Sequence, residues 1–260
     1  MLRTLLVVLI LFAGACSQLV TMPTGNRTTA SKAQATEAWA ETLREFVTEK
    51  GEVNFKRLQK DPSPLLTYIN YLQKITPQQF PNRAERLAHY LNAYNALAMY
   101  NVLEYGVPDS LGGFNKIRLL FSRKLEVGGE IISLKDYLNQ YIRPENEPRV
   151  HFALSRMSDG CPHLKDTPYT AASLEDDLNS QAWRFFNDER FVAIDHTEKI
   201  VLLSDILDFY SEDFLKNAPS LLAYANQFRS AKKALPLTYR LEFIEYNWKT
   251  KQVLPPGCCE

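Results

Sequence analysis

The sequence predicts an α+β fold: a helix-rich single domain with a small antiparallel sheet built from hairpins. Three observations predict it. Several segments repeat apolar residues at helical spacing. The two clearest strand pairs are each joined by a short turn, as hairpins are. Strands and helices do not alternate in the manner of a doubly wound sheet, and no glycine-rich phosphate loop is present.

The elements follow in order. Residues 33–50 place Ala38, Leu43, Phe46 and Val47 on one helical face, and Gly51 ends the run. A second helix is expected over 64–74, opened by Pro62-Ser63-Pro64. The strongest helix spans 82–105. Leu87, Tyr90, Leu91, Tyr94, Leu97, Ala98 and Met99 give it a wide apolar face, which predicts a central, buried position. Gly106 stops it, with Pro108 beyond. Residues 124–132 form a hairpin with Gly128-Gly129 at its tip, and Ser133 caps a helix with Asp136 three residues on. Residues 150–155 are expected as a short strand and 174–186 as a helix. A hairpin over 191–194 and 200–203 follows, and Ser204 caps a helix running through Phe214. A helix at 219–229 and a strand at 239–246 complete the domain, leaving 254–260 as a loose tail.

Composition narrows the function classes. Hydrophobic residues make up 45% and charged residues 23%, enough apolar material for a core without disulfide staples. Thirty Lys and Arg balance thirty Asp and Glu, with no basic stripe, which argues against a nucleic-acid partner.

The N-terminus carries an address. Arg3 precedes an apolar run over 5–12, then Ala13-Gly14-Ala15-Cys16. One positive charge, a short apolar stretch and small residues make a signal peptide over 1–15. The run is too short to span a bilayer, which takes roughly 20 residues. Ordinary cleavage after Ala15 and lipidation of Cys16 both fit. Lipidation is the preferred reading, although Ala13 stands where a lipobox more often has Leu. The polar stretch after Cys16 then serves as a flexible tether over 16–32, and the domain proper occupies 33–253. Ser17, rather than Asp, after the cysteine suits the periplasmic face of an outer membrane. The expected partners are the membrane, through the lipid, and a cell-wall or envelope-protein ligand. Lipidation of Cys16 leaves Cys161, Cys258 and Cys259, an odd number of thiols in an oxidising compartment.

Three segments carry a family likeness. They are His89-Tyr90-Leu91-Asn92-Ala93-Tyr94-Asn95-Ala96-Leu97; then Pro148-Arg149-Val150-His151-Phe152-Ala153-Leu154 leading to Gly160-Cys161-Pro162; then the hairpin and helix ending Tyr210-Ser211-Glu212-Asp213-Phe214. Their order and spacing resemble the domain-of-unknown-function 547 (DUF547) family over about residues 35–253. The closing Phe243-Ile244-Glu245-Tyr246-Asn247-Trp248 is similar to that family's end, with Asn247 where Asp is more usual. The resemblance implies an envelope protein and supplies no activity. The order of a long helix and a later His151 also resembles papain- and transglutaminase-like folds. No cysteine falls near Asn92, where such a nucleophile would lie, so that likeness implies a relative that binds without cutting.

Two readings of the chemistry stand. In one, Cys161 is a nucleophile, His151 its base and Asn95 the amide orienting the ring, which would give a hydrolase or acyltransferase for peptide or amide bonds of the envelope. In the other, His151 and Cys161 are core residues or Cys161 pairs with Cys258 or Cys259, Asn92 and Asn95 tie loops or a ligand to their helix, and the domain is a binding or scaffolding module. No cofactor or metal is expected: Cys161, His163, His151 and His89 lack the spacing of close ligand pairs. Asp205, Asp208, Glu212 and Asp213 suggest a solvated helix face.

Overall fold

A computed structural model describes residues 17–23, 30–76 and 79–253. The signal peptide, Cys16, Cys258, Cys259 and the tail 254–260 lie outside them. No described helix is long and apolar enough to cross a membrane.

Helix α1 (Lys32–Phe46) starts on a capping box in which Ser31 and Gln34 satisfy each other's backbone N–H. A short helix that periodicity does not reveal, α2 (Phe55–Lys60), follows, and then α3 (Ser63–Leu72). Trp39 of α1 stacks on Tyr68 of α3, 5.5 Å between centroids. Helix α4 (Arg83–Glu104) has Asn82 as its cap, one residue inside the predicted bounds. It is buried on every side rather than along one face: all residues from Leu87 to Val102 are covered. Its polar members therefore need partners inside the protein, and Asn92, Asn95 and Asn101 each hold one or more.

The α+β expectation holds, with each hairpin enlarged by a parallel strand. Strands β2 (Arg123–Val127) and β3 (Glu130–Ile132) turn through Gly128 and Gly129, both at positive φ. The N–H groups at this tip donate to Leu72 O and Gln73 O, so the turn caps the end of α3. A Cβ on Gly128 would lie 2.8 Å from Ile75 O, which leaves only glycine room there. Strand β1 (Gln18–Leu19) adds to β2 in parallel, and Val20 is buried. The first part of the stretch expected as a tether thus pairs with the domain through Gln18, Leu19 and Val20. The short helix α5 (Phe114–Ile117) continues as a π turn to Ser122, directly ahead of β2.

After α6 (Leu134–Tyr137) and its π-helical extension to Ile142, residues Pro148–Phe152 form a 3-10 turn where a strand was expected. Pro148 lacks the N–H a strand needs, and Ala153 N–H closes back on Val150 O instead. Helix α7 (Leu174–Phe186) leads to β4 (Val192–Asp195) and β5 (Ile200–Ser204), an antiparallel pair. The single helix expected after Ser204 is two, α8 (Asp205–Phe209) and α9 (Ser211–Leu215), broken at Tyr210. Helix α10 (Leu221–Asn226) precedes β6 (Arg240–Ile244), which joins β5 in parallel. The chain then runs along the 157–160 loop: Gly160 N–H donates to Asn247 O and Asp159 N–H to Lys249 O.

Candidate functional site

The central helix sets the site from below. Asn95 donates to Ala153 O at 3.0 Å and accepts from Ser155 N–H at 2.8 Å, pinning the chain just after His151. Asn92 does the same for another loop: its Oδ1 accepts from Trp39 Nε1 and Tyr169 N–H, and its Nδ2 donates to Tyr169 O. Both amides are structural ties. Asn95 makes no hydrogen bond to the imidazole it was expected to orient.

His151 is buried on the 3-10 turn. Its Nε2 lies 2.9 Å from Asp213 Oδ2 of α9, and its ring stacks on Tyr210. Asp213 also takes a two-pronged ion pair from Arg143, at 2.7 and 3.0 Å. Burial alone would raise the Asp213 carboxyl, but the hydrogen bonds from His151 and Arg143 outweigh it and hold it well below the usual carboxylate range. Burial pushes His151 down despite Asp213, which keeps the imidazole neutral near pH 7. Asp213, expected on a solvated face, is a buried anion facing His151, Arg143 and Lys216. Asp205 is likewise engaged, accepting from Tyr246 N–H.

His151, Asp213 and Arg143 line a cleft of about 150 Å³, with Glu147, Lys216 and Asn217 on its walls. Arg143 offsets Asp213, and Arg149 offsets Glu147 through contacts of 2.6 and 2.7 Å. Lys216 Nζ also lies 3.6 Å from Asp213 Oδ1, so the charged side chains of the wall face one another. No Cys, Ser or Thr is among the described residues on its wall.

Cys161 belongs to a separate buried cluster behind Tyr210. Tyr246 Oη lies 2.8 Å from both Cys161 Sγ and Ser158 Oγ, and Arg156 N–H donates to the sulfur at 2.9 Å. The Arg156 guanidinium donates to Tyr210 Oη. Burial pushes the Cys161 thiol up, but Arg156 and the bonds from Ser158 and Tyr246 more than reverse this, and the thiol titrates below its ordinary value. Only 1% of Cys161 is exposed. It forms no disulfide among the described residues. No hydrogen bond joins it to His151: the two expected partners are separated by the Tyr210–Arg156 link.

The metal reading gains no geometry. No group of three or more His, Cys, Asp or Glu among the described residues could hold an ion, and His163 is turned to Glu49 O at 2.8 Å. Sequence reasoning missed Arg143, Arg156, Ser158, Tyr210, Asp213 and Tyr246 as members. A signal was present for three of them, since Tyr210, Asp213 and Tyr246 all fall in segments that carried the family likeness.

The fold and the site together define a helix-rich α+β domain with a polar cleft laid over a buried thiol cluster. Residues 77–186 match the model of a family described as "Protein of unknown function, DUF547". The match supports the resemblance seen in the sequence, over a shorter span. It takes in α4, the His151 turn and Cys161, and ends before Asp213 and Tyr246. No curated protein and no solved structure matches the chain.

Proposed function

We propose that this chain is an exported, lipid-anchored envelope protein whose domain binds a cell-wall or envelope-protein ligand in the cleft beside His151, without covalent chemistry. The export signal and Cys16 support the address. One observation carries the binding role: the thiol that would have to attack is sealed under Tyr246 and has no imidazole within hydrogen-bond reach. A cleft with fixed polar walls can hold a ligand, and its described lining offers no thiol or hydroxyl nucleophile.

A second reading, a Cys/His hydrolase or acyltransferase acting on peptide or amide bonds, keeps one observation in its favour: the lowered titration of Cys161. Alkylation of the folded protein across pH separates the two. Binding predicts that Cys161 labels only as fast as the protein opens, with no step below the free-thiol value near 8.5. A fast step well below that value overturns it. The address is tested by Cys16→Ser, which should release the protein from membranes.

A further inference from the structure

Segment 113–124 stands apart from the neutral average of the chain. It holds Lys116, Arg118, Arg123 and Lys124 and no acidic residue. Its helical run buries Leu119 and Leu120 while leaving Phe114 69%, Ile117 49% and Phe121 45% exposed. These three are spaced by three and four residues, so they share one side of the run. The Arg118 guanidinium lies 5.6 Å from the Phe114 ring, and Lys116 Nζ lies 4.7 Å from the Trp248 ring. The cations flank the apolar side chains, as they do on segments that lie in a membrane interface.

The position of this face says what covers it. Gln18 Oε1 accepts from Arg118 at 3.2 Å, and Leu19, itself 59% exposed, is paired to Lys124. Cys16 is two residues from Gln18, a reach of roughly 7 Å. A lipid on Cys16 therefore holds the bilayer surface within roughly 15 Å of Arg118. We infer that the face formed by Leu19, Phe114, Ile117 and Phe121 seats in that bilayer, with Lys116 and Arg118 at the level of anionic headgroups; this rests on the lipid-anchor reading. The domain is then held flat on the membrane in one orientation instead of swinging from a tether.

The test uses the mature, membrane-bound protein in vesicles of phosphatidylethanolamine and phosphatidylglycerol, with and without brominated acyl chains. Phe114→Trp adds emission that brominated lipid should cut about twofold, as expected for a side chain at acyl-chain depth. Leu237→Trp, at an exposed site outside this face, should add emission that brominated lipid leaves unchanged. Ile117→Trp repeats the measurement should the first variant fold poorly. Equal behaviour of the face and control variants overturns the proposal, as does burial of the face between two copies of the chain. The mass of the N-terminal peptide reports the anchor independently. A lipid on Cys16 without quenching sinks the seated face and leaves the anchor; quenching without a lipid does the reverse.

Discussion

The imidazole of His151 lies flat on the phenol of Tyr210, 4.0 Å between ring centroids and 11° between planes. Tyr210 occupies the break between α8 and α9, and its hydroxyl accepts from Arg156. One phenol thus separates the polar cleft from the thiol cluster and touches both. His151 and Cys161, close in sequence, hydrogen-bond to different partners on either side of it.

The two roles of Tyr210 can be measured apart. Tyr210→Phe keeps the stack and removes the oxygen that Arg156 binds, which should cost about 1–3 kcal/mol. Tyr210→Ala also empties the space over His151 and should cost about 3–5 kcal/mol, in the range of large-to-small core changes. Urea unfolding of the two variants gives both values. Equal losses would mean that the stack contributes nothing.

Acid should weaken the fold through its histidines. Burial pushes His89 down to about 3 and lowers His151, so both stay neutral in the folded chain at pH values where the unfolded chain protonates them. The unfolded state then binds more protons. Stability is full above about pH 6.5 and falls as pH drops toward the folded-state values, by up to about 1.4 kcal/mol per pH unit for each histidine. His89 stacks on Phe80, 4.3 Å between centroids, so His89→Phe keeps an aromatic contact while removing one titration. The slope of unfolding free energy between pH 6 and 4 should drop by up to about 1.4 kcal/mol per unit, the share of the one histidine removed. An unchanged slope would show that His89 takes up its proton in the folded state.

What the sequence could and could not tell follows from the range of the forces involved. Caps and turns are local, and Ser133, Gly128-Gly129 and the α4 cap at Asn82 fall where local rules put them. The burial of α4 on all sides was only half legible, because Asn92, Asn95 and Asn101 look polar until Tyr169, Ala153 and Leu119 supply their partners from distant segments. The same limit governs the site. Cys161 and His151 drew attention by residue type, but Asp213 is 62 residues from His151 and Tyr246 is 85 from Cys161. No periodicity reports such pairings. The parallel additions of β1 and β6 were hidden for the same reason.

Asn92 offers a check on the structural role of the helix amides. Its side chain makes three hydrogen bonds, to Trp39 and to both backbone groups of Tyr169. Asn92→Leu has similar volume and leaves three buried groups unpaired, which should cost about 3 kcal/mol or more. A ligand-binding role alone would predict a variant with wild-type stability and reduced affinity. Thermal melts distinguish these outcomes before any ligand is known.

Gly160 tests how tightly the terminal strand closes over the thiol. A Cβ there would sit 2.8 Å from Asn247 N and 2.9 Å from Asn247 O, both backbone atoms that cannot rotate away. Gly160→Ala should therefore push residues 246–249 outward, break the Gly160 N–H to Asn247 O bond and draw Tyr246 off Cys161. The expected loss is about 1–3 kcal/mol, typical of forced overpacking. The thiol itself is the reporter. Cys161 in Gly160→Ala should react with an alkylating reagent at least about tenfold faster than in the unsubstituted chain, as a local opening lowered by about 1.4 kcal/mol requires. Labelling at the original rate, with the melt unchanged, would mean that the strand does not press on this loop and that something else keeps Cys161 from solvent.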